Sequence, residues 1–425
     1  MIRILRTSEL TREELLRREV PQAATTDQVR EIIALVRAGG DAALLDLTER
    51  LDGARPASLR VTEAEWAAGV EAAGGEFRAL LHRAAENIRE FHTLQKREGF
   101  RLERPGAVLG QRVLPIARVG LCVPGGAAPL ASTVLMDAIP AVIAGCARLV
   151  MVTPPRPDGT IDPHLLAAAA EAGVTEIYKA GGAQAVAALA YGTESVPKVD
   201  KIVGPGGAWV SEAKRQVFGA VDIDMIAGPS EIFIISDGRS DPALVAADLL
   251  SQAEHDRWAA AMLATDSEDL ALAVQREVER QLESLPRKEI ARASIDRHGR
   301  VFLCQSLDEA AELSEAIAPE HLELCVEEPF AWLDRLQYAG SVFLGRSTPE
   351  ALGDYLAGAN HTLPTGGTAR FSSPLSVEDF VRTSQYIWYS PEAMAEAAED
   401  VAAFARAERL EGHARSALSR KEETP

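Results

Sequence analysis

The sequence predicts an α/β protein with two parallel-sheet domains and a cleft between them. Three observations carry this expectation. Apolar strands and helices alternate at short spacing from about residue 117 to 227, and the pattern starts afresh beyond Gly228. Such alternation builds βαβ units, with right-handed crossovers placing helices on both sheet faces. Three strand-to-helix junctions carry glycine pairs, Gly125-Gly126, Gly181-Gly182 and Gly206-Gly207. Finally, 47% of the 425 residues are hydrophobic but only 5% are aromatic, so the cores are built from Ala, Val, Leu and Ile. A chain of this length is expected to hold two or three domains.

Taken in order, residues 1–20 are polar and helical in pattern and read as an appended arm. From Thr26 to about Phe91 the spacing of Val29, Ile32, Ile33 and Val36 predicts helix. After Pro105 the character changes: ARVGLCVPGG is a short strand ending in a glycine turn, and Ala128 to Cys146 a long apolar helix. ARLVMVTPP, EIYKAGG and KIVGPGG are strands, each followed by a helix (HLLAAAAEAG, AQAVAALAYG and AWVSEAKRQVFG). EIFIISD, AAAMLATD, VFLCQS, HLELCV and GSVFLG are the strands of the second α/β part, with helices over VAADLLSQAEHD, Asp266 to Leu285 and Asp308 to Ile317. From Ser376 to the end the chain reads as helical and charged. The expected organisation is an N-terminal helical arm (1–25), a discontinuous α/β domain (26–121 with 232–375), a second α/β domain on the cofactor side (122–231), and a helical tail (376–425). Two Rossmann-like halves of this kind offer a ligand site in the cleft between them.

Sixty-three acidic against 44 basic residues give a net charge of -19, which opposes nucleic acid and anionic membrane. The first twenty residues carry charges throughout and lack the apolar core of a signal peptide. The most apolar run, AIPAVIAGCARLVMV, is too short to span a bilayer. Cys122, Cys146, Cys304 and Cys325 have no close metal-binding spacing and read as free thiols of a reducing compartment, so a cytoplasmic location is expected.

Chemistry concentrates in four places where histidine meets a carboxylate or amide. These are Gln252 with His255, Glu320 with His321, Asp354 with His361, and Glu408 with His413. Gln252 and His255 share a helix face at i and i+3. Glu320 and His321 are strand neighbours, which point to opposite faces, so they are expected to hold two separate roles. Taken singly, Gln252 and His255 fit a solvated helix face better than a metal site, and the other pairs fit a polar corner, a loop or a helix first turn as well as a functional role. Gathered together, they form a mixed N/O donor set that suits Zn²⁺, Mn²⁺ or Co²⁺ and leaves positions open for substrate. The glycine turns are compatible with a nucleotide phosphate at a helix N-terminus, although none is the GxGxxG fingerprint.

The strings VGPGGAWVSEAKRQVFG, IDMIAGPSE, AADLLSQAEHD, APEHLEL, GANHTLPTGGTARFSSPLSVEDF and LEGHARSAL occur in an order that resembles the histidinol dehydrogenase family, from about Thr26 to Leu418. That resemblance implies a homodimer with shared sites, one Zn²⁺ per subunit, and two NAD molecules consumed per turnover. The reaction it implies is oxidation of L-histidinol through L-histidinal to L-histidine, the last steps of histidine biosynthesis. It implies Gln252, His255, Asp354 and His413 as zinc ligands that also face substrate, and Glu320 and His321 as catalytic residues, His321 contacting substrate. Ser230, His361 and Glu408 would be further substrate contacts, and Gln184 a contact to NAD. Two positions depart from the family's usual residues: Cys122 stands where an aromatic is frequent, and Gly207 where asparagine is usual. Both belong to the expected cofactor pocket. A dehydrogenase of another small polar alcohol, or a zinc protein without redox activity, would carry the same metal motif.

Overall fold

The computed structural model describes residues 1–16, 25–125 and 128–422. Gly126 and part of the expected N-terminal arm therefore lie outside the described residues. The chain divides into two compact units, Met1–Gln95 with Ile116–Phe380, and Lys96–Pro115 with Val381–Pro425.

The first unit holds two parallel sheets. In one, the strands β1 (Arg3–Arg6), β11 (Arg300–Leu303), β10 (Ala260–Thr265), β9 (Glu231–Ser236), β12 (His321–Cys325) and β13 (Ser341–Leu344) lie side by side in that order. The other has the order β6 (Glu176–Lys179), β5 (Arg148–Thr153), β4 (Arg118–Cys122), β7 (Lys201–Val203) and β8 (Asp222–Ile223). All pairings in both sheets are parallel. Central strands such as EIFIIS are buried along their whole length, because helices cover both faces. Ile232 and Ile234 face one apolar core, and Phe233 and Ile235 the other.

The structure revises two elements of the sequence reading. The expected arm contains a strand: Arg3–Arg6 pairs with Arg300–Leu303 as an edge of the six-stranded sheet, with Ile2 buried behind it. Its partner is almost three hundred residues away, so no local pattern marks it. The helices Thr26–Asp52, Glu63–Ala72 and Gly75–Thr93 pack on helices of the five-stranded sheet. Val29, Ile32, Ile33 and Val36 share a core there with Tyr178 and Val186, so Thr26–Asp52 packs with residues 122–231, whereas Leu81 and Ile88 of Gly75–Thr93 share a core with Leu135 and Met151 and also with Leu375, and Asn87 donates to the Leu356 carbonyl at 2.7 Å.

The second unit is a three-stranded antiparallel sheet and a helical hairpin. Strands β2 (Phe100–Arg104) and β3 (Ala107–Pro115) turn at Pro105-Gly106, where Gly106 has φ +69°. Strand β14 (Val381–Tyr389) pairs with β3 along its full length, from Val381 opposite Pro115 to Tyr389 opposite Ala107. The expected helical tail thus begins with a strand, as the β-branched and aromatic residues of VRTSQYIWY favour. Helices Pro391–Ala407 and Glu411–Glu422 follow and meet through Ala402, Ala405 and Ala414. Among the described residues no helix is long and apolar enough to cross a membrane.

Candidate active site

Inside the first unit, the amino ends of β9 and β12 bring Glu231, Glu320 and His321 together. The helix Pro242–Ala253 begins at an Asp241 cap, with Pro242 in its first turn, and runs back along the sheet. Its last turn therefore returns Gln252 to the same end. His255 lies just beyond the helix, with its N–H donating to the Gln252 carbonyl at 3.2 Å. A short helix, Glu350–Tyr355, adds Glu350 and, one turn later on the same face, Asp354.

Ligand atoms of His255, Glu350 and Asp354 lie within 4.8 Å of one another. Gln252 reaches the same place, with its amide almost wholly buried. Turned with its nitrogen outward, that amide donates to both Glu350 oxygens at 2.7 and 3.0 Å, and its oxygen accepts from the Glu231 N–H at 2.9 Å. Turned the other way, the amide oxygen faces a carboxylate, an arrangement that a shared cation would satisfy. The donor set of imidazole, carboxylate and amide oxygen fits a divalent transition metal.

Glu320 and His321 do not diverge as expected for strand neighbours. Glu320 precedes the strand, and both side chains converge on the backbone of Glu231. The Glu231 N–H donates to Glu320 Oε2 at 2.8 Å. His321 Nδ1 lies 3.0 Å from the Glu231 carbonyl oxygen, so this nitrogen carries the proton and donates. Nε2 is then the lone-pair nitrogen; it is buried without a hydrogen-bond partner, 4.0 Å from Glu350 Oε1. Glu320 Oε2 is 3.6 Å from His321 Nδ1. Burial lowers the His321 imidazole to about 4. Burial also pushes the Glu320 carboxyl well above the usual carboxylate range, and the nearby charges of Glu231 and Asp354 push the same way.

His361 is held on two sides. Its Nδ1 lies 3.1 Å from the Asp354 carbonyl oxygen and its Nε2 3.3 Å from Thr133 Oγ1. Its neighbours are pinned to the same helix as Thr133: Asn360 Nδ2 donates to the Met136 carbonyl, and Thr362 Oγ1 to Asp137. Burial lowers the His361 imidazole as well.

A cavity of about 670 Å³ joins these groups, with Ser230, His255, Glu320 and His361 in its wall. Its other wall comes from Pro124 and the Gly204–Gly207 turn, at the carboxyl ends of β4 and β7. A narrower crevice of about 170 Å³ runs on between Cys122, Pro154, Gly181, Gly182, Gly206 and Gly207. This crevice is where open α/β sheets place ligands. The polar cluster of Glu231, Glu320 and His321, by contrast, sits at the amino ends of the six-stranded sheet. Buried Lys214 supports the Gly204–Gly207 turn, pairing with Asp224 and donating to the Gly204 carbonyl at 3.0 Å, while the Gly204 N–H donates to Asp224 at 2.8 Å. Gly204 has φ +112°, and a Cβ there would meet the Cys122 carbonyl oxygen and sit 2.8 Å from Asp137 Oδ2. Gly204→Ala is therefore expected to destabilise the fold by about 1–3 kcal/mol through backbone strain alone. A thermal unfolding midpoint equal to that of the parent would contradict this.

Of the residues singled out in the sequence, Ser230, His255, Glu320 and His361 line this cavity, and Gln252, His321 and Asp354 contact the same polar cluster through Glu350, Glu231 and His255. Gln184 is buried with its Nε2 donating to Asp52 at 3.1 Å, and the crevice is lined by its neighbours Gly181, Gly182 and Ala185. Its Oε1 has no hydrogen-bond partner. Glu408 and His413 belong to the second unit, where both are exposed at the junction of the helical hairpin. Sequence reasoning missed Glu350. Its signal was the four-residue spacing to Asp354 in PEALGDY. It also missed the Glu231 backbone, for which a side-chain pattern gives no signal.

The family model for histidinol dehydrogenase matches residues 15–421. A histidinol dehydrogenase of Geobacillus kaustophilus is 53% identical over 405 residues, covering 94% of this chain and 95% of that protein. One from Bacillus cereus is 51% identical over 423 residues, covering 99% and 96%. The crystal structure of histidinol dehydrogenase from Elizabethkingia anophelis superposes with a TM-score of 0.92 at 36% identity, covering 99% of this chain and 98% of that one. With its cavity and polar cluster inside the matched span, the chain belongs to the histidinol dehydrogenase family.

Proposed function

We propose that the protein oxidises histidinol through histidinal to histidine, closing histidine biosynthesis, with one zinc ion per subunit and two NAD per turnover. The observation that carries this reading is the clustering of Gln252, His255 and Asp354 with Glu320 and His321 beside one cavity, whose wall holds His255 and Glu320. Zinc, when bound, would anchor nitrogen donors of the substrate and so hold it in register. NAD, when bound along the glycine-lined crevice near Gln184, would accept the hydride of each oxidation.

The chain's own residues handle the protons. His321 donates through Nδ1 to the Glu231 carbonyl and keeps Nε2 free to take the proton of the alcohol. Its depressed basicity keeps it neutral at working pH. Glu320, once ionised, takes a proton from the water that adds to the aldehyde. Ser230 and His361 orient the substrate from the cavity wall. We assign His413 as the fourth zinc ligand and Glu408 as a substrate contact, in a homodimer whose sites are shared between subunits. The apolar residues exposed on the second unit, among them Phe100, Ile387, Trp388 and Phe404, support an association surface. A cytoplasmic location suits the four free cysteines. The domain division we propose keeps one α/β half for the metal cluster and the other for the cofactor crevice.

Chelation followed by dialysis is expected to abolish histidinol-dependent NADH formation, and one equivalent of Zn²⁺ per subunit to restore it. Full activity in a verified metal-free sample would overturn the zinc assignment. NADH formed only with a different alcohol would overturn the substrate.

A further inference from the structure

Glu350 lies outside the ligand set assigned above, yet it is the least exposed carboxylate of the cluster, at 1%. A carboxylate buried this deeply needs a cation or a full set of donors. The side-chain donors around it are Ser251 Oγ, at 3.4 Å, and the Gln252 amide if its nitrogen faces outward. Its own backbone N–H is turned away, donating to Glu323 Oε1 at 2.7 Å. Helix geometry sets its side chain on the same face as Asp354 and within 4.8 Å of the ligand atoms of His255 and Asp354.

The contacts with Gln252 are informative. The outward atom of that amide lies 2.7 and 3.0 Å from the two Glu350 oxygens. Two oxygens bound to one ion at about 2.1 Å, at a right angle, sit about 3.0 Å apart. The spacing fits a hydrogen bond from the amide nitrogen and equally fits two adjacent oxygens of one coordination shell. We propose that Glu350 binds the metal directly in the substrate-free protein, beside the amide oxygen of Gln252. This rests on the zinc reading and adds a second carboxylate to it. His321 Nε2, 4.0 Å from Glu350 Oε1, then faces the same shell from the catalytic side.

Zinc affinity, measured on the full-length protein by competition with a chromogenic chelator, tests this without reference to turnover. Loss of a partner that only supports a ligand costs roughly 10–100-fold in metal affinity. Glu350→Gln is expected to exceed that range. Glu350→Cys, loaded with Co²⁺, is expected to show a near-ultraviolet sulfur-to-cobalt charge-transfer band, absent from the parent protein. That band reports direct ligation even if the glutamine variant does not fold. Zinc affinity unchanged by Glu350→Gln, or one bound Co²⁺ in the cysteine variant without the band, would overturn the proposal. Parent protein that binds no zinc, or a zinc affinity unaffected by His255→Ala, would overturn the zinc reading as well.

Discussion

Replacing His321 with alanine is expected to lower the rate of alcohol oxidation by about 10²–10⁴-fold, the range for loss of a positioned general base. The tautomer decides which atom acts. Nδ1 is committed to the Glu231 carbonyl at 3.0 Å, so only Nε2 offers a lone pair, and it is buried with no competing donor. Burial has lowered the imidazole to about 4, so the ring is already in its base form across neutral pH. Zinc content should be unchanged in the variant, because the proposed metal donors lie on other elements. Stopped-flow measurement of the first NADH, with zinc assayed on the same sample, separates the two effects. A loss below about tenfold would remove His321 from the role of base.

Glu320→Gln is expected to act mainly on the second oxidation, slowing conversion of supplied aldehyde by a comparable factor. The pH dependence carries the sharper test. The Glu320 carboxyl is raised well above its ordinary value, first by burial and then by the charges of Glu231 and Asp354. A raised carboxylate holds its proton at low pH and gains the base form as pH rises. Aldehyde oxidation by the parent protein should therefore climb with pH beyond the usual carboxylate range. His321 contributes no limb there, since its lowered value keeps it neutral above about pH 5, one unit past its titration. In the glutamine variant the climb should flatten. If Glu320→Gln oxidised aldehyde at the parent rate, the division of labour between the two residues would be wrong.

Much of the fold was legible because the informative stretches are long and locally punctuated. ARLVMVTPP to VFG reads as three βα units, since short apolar-rich strands stop at proline or glycine turns and the helices that follow are apolar on their sheet side. β1 and β14 escaped for one shared reason: a strand's partner is not written in the strand. Arg3–Arg6 pairs near residue 300, and Val381–Tyr389 pairs near residue 110. The polar residues that gather in the first unit stood out through the order of motifs. Their relation did not. That Glu320 and His321 both read the Glu231 peptide depends on register between β9 and β12, which set His321 opposite Ile232. Glu350 gave only a faint signal, its spacing to Asp354, because an acidic residue opening a short helix is ordinary until tertiary packing removes its solvent.

The most direct test of the account is the stoichiometry of a limiting amount of histidinol. Zinc-loaded protein with excess NAD is given a known quantity of the alcohol, and absorbance of NADH is followed to completion. Two NADH per histidinol, with histidine as the product, is the result predicted from a base for the alcohol and a second base for the aldehyde in one cavity. One NADH with released aldehyde, or none, would contradict it.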